Sequence, residues 1–588
     1  MSTFPEYAHL DLAGIHKAVL AKWKQSHLFE QTLVARKDAE PWIFFEGPPS
    51  ANGLPGIHHV MGRSLKDVFC RYKTQKGYLV DRKAGWDTHG LPVELGVEKE
   101  LGITKEDIGK SITIEEYNDA CRTAVMRYTG IWKDLTDQMG YWVDMDKPYV
   151  TYEPKYMESV WWLLSQLYKK GLIYKGYTIQ PYSPKAGTGL SSHELNQPGC
   201  YQDVKDNTVV AQFKMINNGQ SEALFGAATV HFLAWTTTPW TLPSNTALTV
   251  GPKIEYSLVH TFNQYTHEPV SIVAATPLLG KLFGKKFVEG DTAAYEAGAK
   301  KIPYQIEKTV TGTDLVGLKY EQLMPYALPD ERPEDAFRII PGDFVTTEDG
   351  TGIVHTAPTF GADDAKVAAD AGVPPLLVKD EQGNLVPLVD LRGKFRPELA
   401  DPVFGFGEEY IKAEYLTDEE KAEELAKQQA LLKPIIPELK AYLSVDERIA
   451  LKLKIENKAF KIEKYEHSYP HCWRTDKPVL YYPLDSWFIK STAKKDQMIA
   501  LNKTINWKPA STGTGRFGNW LENLNDWNLS RSRFWGIPLP IWSTEEGDEH
   551  LCIESAAQLK EEIEKAIAAG LMDTNPMGDF DPTDMSDD

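Results

Sequence analysis

A series of short β-branched segments interrupts a chain whose flanking regions have a different composition. The segments VVAQF, TVHFLAW, ALTV, SIVAA and TGIVH follow one another from about residue 200, separated by Gly, Pro and Asn turns. A charged stretch with helical pattern, TDEEKAEELAKQQALLK, comes next, and SYPHCWRTDKPVLYYPLDSWF then returns to aromatic, Trp-containing sequence. The pattern predicts a β-rich domain inserted into a first domain that resumes after it.

The size and composition of the chain allow several domains of this kind. Its 588 residues correspond to roughly four domain equivalents at about 150 residues each. No segment approaches 18 consecutive apolar residues, and the N-terminus lacks the pattern of a signal peptide, so we expect a cytoplasmic protein without a membrane partner. The five cysteines lie far apart and never in CxxC spacing, which fits neither a disulfide framework nor a zinc ribbon. The net charge of -19 disfavours nonspecific binding to nucleic acid but leaves room for a local basic groove.

The first domain begins with a pattern of alternating helix and strand. A helix is expected from Asp11 to about Leu33, with Asp11 as its N-cap. Trp42 to Phe45 is an apolar run that predicts a buried strand, and YLVDRKAGW predicts the next one. Between them a helix is predicted to end at Gly77 and to carry one apolar face, formed by Met61, Leu65, Val68 and Tyr72. We expect parallel pairing with a right-handed crossover, and ligands beyond the carboxyl ends of the strands.

The loop between the first strand and its helix has the composition of a phosphate site. In GPPSANGLPGIHHVMGRSLKD, residues 47–67, a Gly/Pro loop leads to His58 and His59 at the start of the helix. Free backbone N–H groups and the helix dipole favour an anion there, and the imidazoles could add donors to a triphosphate. The alternative is that the His pair is only a cap or a surface feature.

A carboxylate is predicted at the same edge of the sheet. Asp87, in GWDTHGLPVE, follows the second strand and would project beside the Gly/Pro loop. A single carboxylate beside a phosphate site suits an ammonium group. The alternative is that Asp87 caps a turn.

The β-rich segment contains a second polar group. WTTTPWTLPSN, residues 235–245, places three threonines between a strand and a Pro turn, although Thr runs are also simply good strand formers. GTGIVHTAPTFGADD puts His355 at the end of a short strand, and Asp363 and Asp364 at the start of a helix. At least one of these aspartates is expected to cap that helix.

Five motifs taken together resemble those of class I isoleucyl-tRNA synthetases. They are, in this order, GPPSANGLP, GWDTHGLPVE, WTTTPWTLPSN, GTGIVHTAPTFGADD and LSRSRFWGIPLPIW. The resemblance implies an α/β fold in which a Rossmann-like, parallel-sheet catalytic domain is interrupted by a β-rich editing domain. It implies an enzyme that joins isoleucine to ATP, with Mg²⁺ as the counterion of ATP, releases pyrophosphate and passes the aminoacyl group to tRNA(Ile). The domains would be 1–195, the first half of the catalytic domain; 196–435, the editing insertion; 436–545, the return to the catalytic domain; and 546–588, the start of a further insertion with an acidic, frayed end.

The resemblance also assigns site residues. It implies that ATP is bound by Asn52, Gly56, Ile57, His58 and His59, with the two histidines acting in catalysis. It implies that the amino acid is held by Gly47, Pro48, Asp87 and Trp535, with Asp87 on the ammonium group and Trp535 walling the side-chain pocket. The site that removes valine from mischarged tRNA would be lined by Thr236, Thr237, Thr238, Asn245, His355 and Asp364. Within it, Asp364 is expected to bind the amino group and His355 to pack near the terminal adenosine. No metal site is expected.

One motif departs from the family pattern. The family has His, any residue, Gly, His at the helix start, whereas residues 56–59 are Gly, Ile, His, His. In the family the glycine lets adenine approach the backbone, and the first histidine faces the phosphates. We expect His58 to turn its ring away from the base, so that ATP still binds and His59 keeps its phosphate role. The alternative is an altered or inactive activation site.

A second family signature, Lys-Met-Ser-Lys-Ser, does not occur in the sequence. Its absence, and that of a helical anticodon-binding domain, predicts an N-terminal fragment of a longer ligase that cannot complete aminoacylation, though editing could survive. The alternative is a free-standing aminoacyl-tRNA deacylase or a tRNA-binding module.

Overall fold

A computed structural model describes residues 9–293, 295–544, 547 and 549–578. The acidic segment 579–588, expected to be frayed, lies outside the described residues. The helices are α1 Leu12–Gln25, α2 Leu28–Val34, α3 Ile57–Gln75, α4 Leu91–Leu101, α5 Ile114–Val125, α6 Thr129–Met139, α7 Pro154–Lys169, α8 Ser192–Leu195, α9 Gly219–Phe225, α10 Leu279–Phe283, α11 Gly312–Leu315, α12 Ala362–Ala371, α13 Asp418–Leu431, α14 Val445–Ile455, α15 Lys495–Asn502, α16 Ser511–Thr514, α17 Arg516–Glu522 and α18 Ala556–Ala568. Within the described residues, no helix combines the length and the apolar character needed to cross a bilayer.

Five strands have ten residues or more, and the others are shorter. They are β1 Lys83–Trp86, β2 Asp144–Val150, β3 Ile173–Ser183, β4 Thr188–Gly189, β5 Tyr201–Lys214, β6 Val230–Thr236, β7 Ala247–Val250, β8 Glu255–Phe262, β9 Pro269–Ala275, β10 Phe287–Glu289, β11 Ile302–Thr311, β12 Arg338–Pro341, β13 Ile353–Thr356, β14 Leu377–Lys379, β15 Leu385–Pro387, β16 Ala459–Pro470, β17 Leu480–Ile489, β18 Trp527–Asn528, β19 Ile541–Ser543 and β20 His550–Cys552.

The chain divides into two compact units. The first contains the residues up to Tyr174 and those from Phe488 onward, and the second is Lys175–Trp487. The chain therefore leaves the first unit, builds the second, and returns. The domain boundaries at 196 and 435 remain predictions.

The first unit has the expected parallel pairing, but one predicted strand is missing. β1 pairs with β2 in parallel, and isolated parallel bridges join Pro41 to Leu79 and Ser50 to Asp87. The prediction of a buried strand from Trp42 to Phe45 is wrong: the segment carries no strand, and Ile43 and Phe45 are 67% and 87% exposed. The parallel bridges lie on either side of this segment, at Pro41 and Ser50, and no strand pairing runs along it in the described residues.

Helix α3 forms where it was predicted, and its apolar face is exposed. It ends before Gly77, whose φ of +98° is accessible to glycine at little cost. Its buried residues are Arg63, Cys70 and Thr74. The apolar face formed by Met61, Leu65, Val68 and Tyr72 is exposed, with these residues between 55% and 65% accessible. The periodicity thus predicted the helix but not its buried face. The Arg63 side chain on that face donates a hydrogen bond to the Thr136 hydroxyl (2.6 Å).

The N-terminal helix is confirmed in part. The Asp11 side chain accepts a hydrogen bond from the Gly14 N–H (2.9 Å), as expected of an N-cap. The helix is not continuous to Leu33, because His27 adopts the left-handed conformation with φ +47° and divides it into α1 and α2.

The second unit is built on one large mixed sheet. Its strands run in the order β10-β11-β8-β9-β6-β13-β7-β12, and β5 joins β6 to β16. The predicted β-branched segments lie in β5, β6, β7, β9 and β13, and the predicted charged helix is α13, capped by Thr417. The apolar core on this sheet includes Phe213, Phe232, Leu248, Tyr256 and Ile353. The mixed α/β class and the β-rich second region are therefore confirmed.

Candidate functional sites

The three threonines and His355 come together at the carboxyl ends of two neighbouring strands in the second unit's sheet. Strand β6 ends at Thr236, and β13 lies beside it in parallel, with Val354 paired to Trp235. A cavity of about 430 Å³ opens there. It is lined by Thr236, Thr237, Thr238, Thr241, His355 and Asp364, together with apolar side chains such as Trp235, Phe344 and Phe360. We call this cavity the threonine pocket.

His355 is buried and hydrogen-bonded through both ring nitrogens. Its Nε2 lies 3.0 Å from the Thr241 hydroxyl, and its Nδ1 lies 2.8 Å from the Asn245 side-chain nitrogen. Burial lowers the pKa of His355 to about 4, so the ring is neutral near pH 7. Asn245 lies behind the histidine rather than on the wall of the pocket, and Thr241 was not among the predicted site residues.

Asp364 presents a carboxylate without a cationic partner to the same pocket. One of its oxygens accepts a hydrogen bond from the Ala357 N–H (2.9 Å). Burial, reinforced by the charge of Asp363, raises the pKa of Asp364 to about 6. No Lys, Arg or His of the described chain forms an ion pair with it. A buried carboxylate left unpaired in this way suits a ligand that carries an ammonium group.

The expectation that one of the two aspartates caps the helix is wrong. The N-cap of α12 is Gly361, and no side chain caps it. The Asp364 carboxylate instead folds back over Gly361, where an added Cβ would come within 2.8 Å of the carboxylate carbon. The bond to Ala357, a residue before the helix, takes the place of a cap.

A buried charge anchors the turn that carries the threonines. The turn Pro239–Ser244 follows Thr238, and the Trp240 N–H donates to Asp446 Oδ1 (2.8 Å). Lys412 Nζ lies 3.6 Å from the other Asp446 oxygen. Sequence reasoning missed Asp446 because more than two hundred residues separate it from Trp240, and no local pattern marks a contact of that range.

In the first unit, the Gly/Pro loop lies against Asp87. The Ala51 N–H donates to the Asp87 carbonyl and the Asp87 N–H donates to the Pro49 carbonyl, both at 3.0 Å. Gly47 is exposed and Pro48 half-buried on the preceding stretch. Burial raises the pKa of the Asp87 carboxyl, a shift opposed by a hydrogen bond from the backbone of His89. No cation among the described residues pairs with Asp87.

Trp535 reaches the same place from a distant part of the chain. Its indole N–H donates to the carbonyl of Thr88 (2.7 Å), the residue after Asp87, and its ring lies 5.3 Å from that of His89. Its backbone N–H donates to Glu94 (3.0 Å), which also pairs with Arg533. The structure therefore places Trp535 against the two residues that follow Asp87.

The start of α3 is organised by His59. Gly56 is the N-cap, and its N–H donates to His59 Nδ1 (2.9 Å). The His59 ring packs edge-on against Trp132, whose indole N–H holds the Gly53 carbonyl (2.8 Å). Burial, with the charges of His58 and Arg63, lowers the pKa of His59. A neutral His59 thus carries its proton on Nε2 and can donate it in a hydrogen bond to a ligand.

His58 lies over Gly56. Its ring is exposed, with its centroid 3.8 Å from that of His59. A Cβ on Gly56 would come within 2.8 Å of His58 Cε1. Of the other predicted ATP ligands, Asn52 is half-buried in the same loop and Ile57 is 81% exposed.

Comparisons with known proteins identify the family. The family of class I tRNA synthetases (I, L, M and V) matches residues 18–576. An isoleucine–tRNA ligase of Bacteroides fragilis is 60% identical over 98% of this chain and 49% of its own length. An isoleucine–tRNA ligase of Cytophaga hutchinsonii is 62% identical over 95% of this chain and 49% of its own length. The chain thus spans about half the length of the curated relatives it matches.

A solved structure gives a weaker likeness. The likeness is to LeuRS in the ternary complex of Agrobacterium radiobacter K84 LeuRS with tRNA and LeuAMS. The match covers 94% of this chain and 53% of the LeuRS chain, at 15% identity and a TM-score of 0.33. That superposition is too poor to support an argument about the sites, so the assignment depends on sequence. On the match over residues 18–576, the chain belongs to the class I tRNA synthetases of the I, L, M and V group.

Proposed function

We propose that this chain carries two sites of an isoleucine–tRNA ligase: one that activates isoleucine with ATP for transfer to tRNA(Ile), and one that hydrolyses valyl-tRNA. The names of the relatives at about 60% identity support the choice of isoleucine. Two sites are needed because valine lacks only one methylene, and isoleucyl-tRNA synthetases are the standard example of discrimination limited to roughly 150-fold by binding.

The contacts in the first unit support the activation site. Asp87 is a partly buried carboxylate without a cation, which suits the ammonium group of an amino acid, and Trp535 beside it supplies an apolar wall. The N-terminus of α3 fits an anion, because the helix dipole favours negative charge there and the bond at Nδ1 directs the Nε2–H of His59. A carboxylate oxygen of isoleucine would attack the α-phosphorus of ATP, which is accompanied by Mg²⁺, and the bond to the departing pyrophosphate would break.

The exchanged signature is compatible with this site. The His58 ring is folded back over Gly56 and towards His59. This position supports the proposal that His58 leaves the space of the base free, so that His59 keeps the phosphate role.

The single observation that carries the editing proposal is the unpaired Asp364 carboxylate in the threonine pocket. We assign it the ammonium group of valyl-tRNA, which would place the ester carbonyl among the hydroxyls of Thr236, Thr237 and Thr238. Water then adds to the carbonyl carbon, the bond to the ribose oxygen breaks, and the ribose oxygen takes up a proton. Such an ester is labile, so positioning and hydroxyl donors are sufficient.

Deacylation of valyl-tRNA(Ile) by the 588-residue chain tests this assignment. We expect the wild-type chain to release valine faster than isoleucine from the corresponding tRNAs. Asp364→Ala should lower the rate at least about 100-fold, since it removes the partner of a buried charge. Asp363→Ala is the matched control, because Asp363 is exposed and adjacent, and it should behave as wild type.

Equal rates for Asp364→Ala and wild type would refute the role of Asp364. Deacylation by this chain, without ATP–pyrophosphate exchange in a protein of the relatives' full length, would favour a deacylase over a ligase.

A further inference from the structure

A chain of hydrogen bonds runs from the core of the second unit to the threonine pocket. The Tyr320 hydroxyl donates to Asn245 Oδ1 (2.6 Å), and Asn245 Nδ2 lies 2.8 Å from His355 Nδ1. His355 Nε2 lies 3.0 Å from the Thr241 hydroxyl, which in turn donates to the Thr238 carbonyl (2.8 Å). The first member was not predicted from the sequence, and the last belongs to the pocket wall.

The orientation of the Asn245 amide follows from its neighbours. Nδ2 lies 2.8 Å from the Ala247 carbonyl, and a carbonyl can only accept. The nitrogen therefore faces Ala247 and His355, and the bond from the Tyr320 hydroxyl to the oxygen helps to hold the amide in this orientation. Tyr320 is fully buried, and burial raises its pKa far above the usual value, so its hydroxyl remains protonated and able to donate.

This orientation decides the tautomer of His355. An amide nitrogen has no lone pair to offer, so Nδ1 must accept from Asn245 and carries no proton. The proton of the neutral ring then lies on Nε2 and is donated to Thr241. We propose that Tyr320 is a positioning residue that, through Asn245, holds His355 as the Nε2-protonated tautomer and thereby orients the turn that carries Thr238.

The consequence for the pocket is a division of roles. With Nδ1 and Nε2 both engaged, His355 has no free lone pair with which to take a proton from water. Thr241 is likewise engaged, because it accepts from His355 and donates to Thr238. The hydroxyls of Thr236 and Thr238 lie 3.3 Å apart and are not part of this series of hydrogen bonds. His355 therefore acts by holding the threonine turn in place rather than as a general base.

Only the link to catalysis in this inference depends on the proposed function; the tautomer can be measured without it. Histidine labelled with ¹⁵N in the full 588-residue chain reports each ring nitrogen, since a protonated and an unprotonated nitrogen resonate far apart. The His355 signals are identified by their loss in His355→Gln. We expect one species in the wild type, with Nδ1 unprotonated and Nε2 protonated.

Two variants perturb the hydrogen bonds between Tyr320, Asn245 and His355 in different ways. Tyr320→Phe removes only the hydroxyl and should introduce a population with protonated Nδ1. It should also lower kcat for valyl-tRNA deacylation about tenfold, with KM changed less than about twofold, as expected from losing one buried hydrogen bond. Asn245→Asp places an acceptor opposite Nδ1 and should reverse the tautomer; if this variant does not fold, Tyr320→Phe still decides.

Tyr415→Phe is the matched control. Tyr415 is a buried tyrosine in the same apolar core, but its hydroxyl donates to the Pro478 carbonyl (2.9 Å) and has no bond to Asn245. It should leave the His355 signals and kcat unchanged.

A protonated Nδ1 in the wild type would overturn the proposal. So would a Tyr320→Phe variant whose ring signals and kcat match those of Tyr415→Phe. The protein could also show the expected tautomer without deacylating valyl-tRNA. That result would support the role of Tyr320 in positioning His355 and would overturn the proposed function instead.

Discussion

The two candidate sites contain the same kind of group in different surroundings. Asp364 and Asp87 are both carboxylates with raised pKa values and without cations among the described residues. Around Asp364, each hydrogen-bonding nitrogen of His355 and Asn245 has a partner within the second unit. Around Asp87, backbone groups of the Gly/Pro loop and of His89 supply the contacts, and His58 and Ile57 remain exposed. The comparison shows that a network of side chains fixes protonation states, whereas a backbone loop fixes mainly position.

The largest expected change in activity distinguishes the role of Asp87 from that of Asp364. Asp87→Ala should lower isoleucine-dependent ATP–pyrophosphate exchange at least about 100-fold, because the ammonium group loses its charged partner. Valyl-tRNA deacylation should be unaffected, the reverse of Asp364→Ala. Both assays are made in a protein of the relatives' full length, with the exposed Asp81→Ala as control. Loss of both activities in Asp87→Ala would contradict two independent sites.

A smaller effect is expected from pH. The pKa of Asp364 is raised to about 6, so the carboxylate that binds the ammonium group is lost as pH falls through that value. Deacylation should decrease by up to about tenfold per unit below it. His355, with a pKa of about 4, stays neutral over this range. Rate against pH between 5 and 8 is the measurement, and Asp364→Asn should flatten the profile; an unchanged profile in that variant would assign the titration to another group.

The smallest effect concerns the exchanged signature. Gly56→Ala brings a methyl group within 2.8 Å of His58 Cε1, so the exposed imidazole must move. Stability should change by less than about 1 kcal/mol, since the ring is free to rotate into solvent. ATP–pyrophosphate exchange should fall severalfold, and Gly56→Ala/His58→Gly should restore it. A double variant that remains as slow as Gly56→Ala would show that the position of His58 is unimportant.

Prediction from sequence succeeded where a short range or an ordered motif was sufficient. The strands of the second unit, helix α3 and the Asp11 cap follow from periodicity and local hydrogen bonding. The meeting of the threonines with His355 followed only from the family resemblance, because nothing in either segment indicates the pairing of β6 with β13.

The failures have a common physical origin. The run from Trp42 to Phe45 was predicted to be buried, and the apolar residues of α3 predicted only a helix. Both are largely exposed, because apolar character alone does not say what covers a surface. The capping role of Asp363 or Asp364 failed because Ala357, a residue before the helix, offered Asp364 a better-placed donor.

The sequence by itself determined the family, most of the element types and the residues available for chemistry. The tertiary structure decided which of these residues are partnered. Tyr320 and Asp446 have no marked sequence context, yet folding places the first on Asn245 and the second on Trp240. The reason is that protonation state and hydrogen-bond direction depend on neighbours in space, and those neighbours lie tens to hundreds of residues apart along the chain.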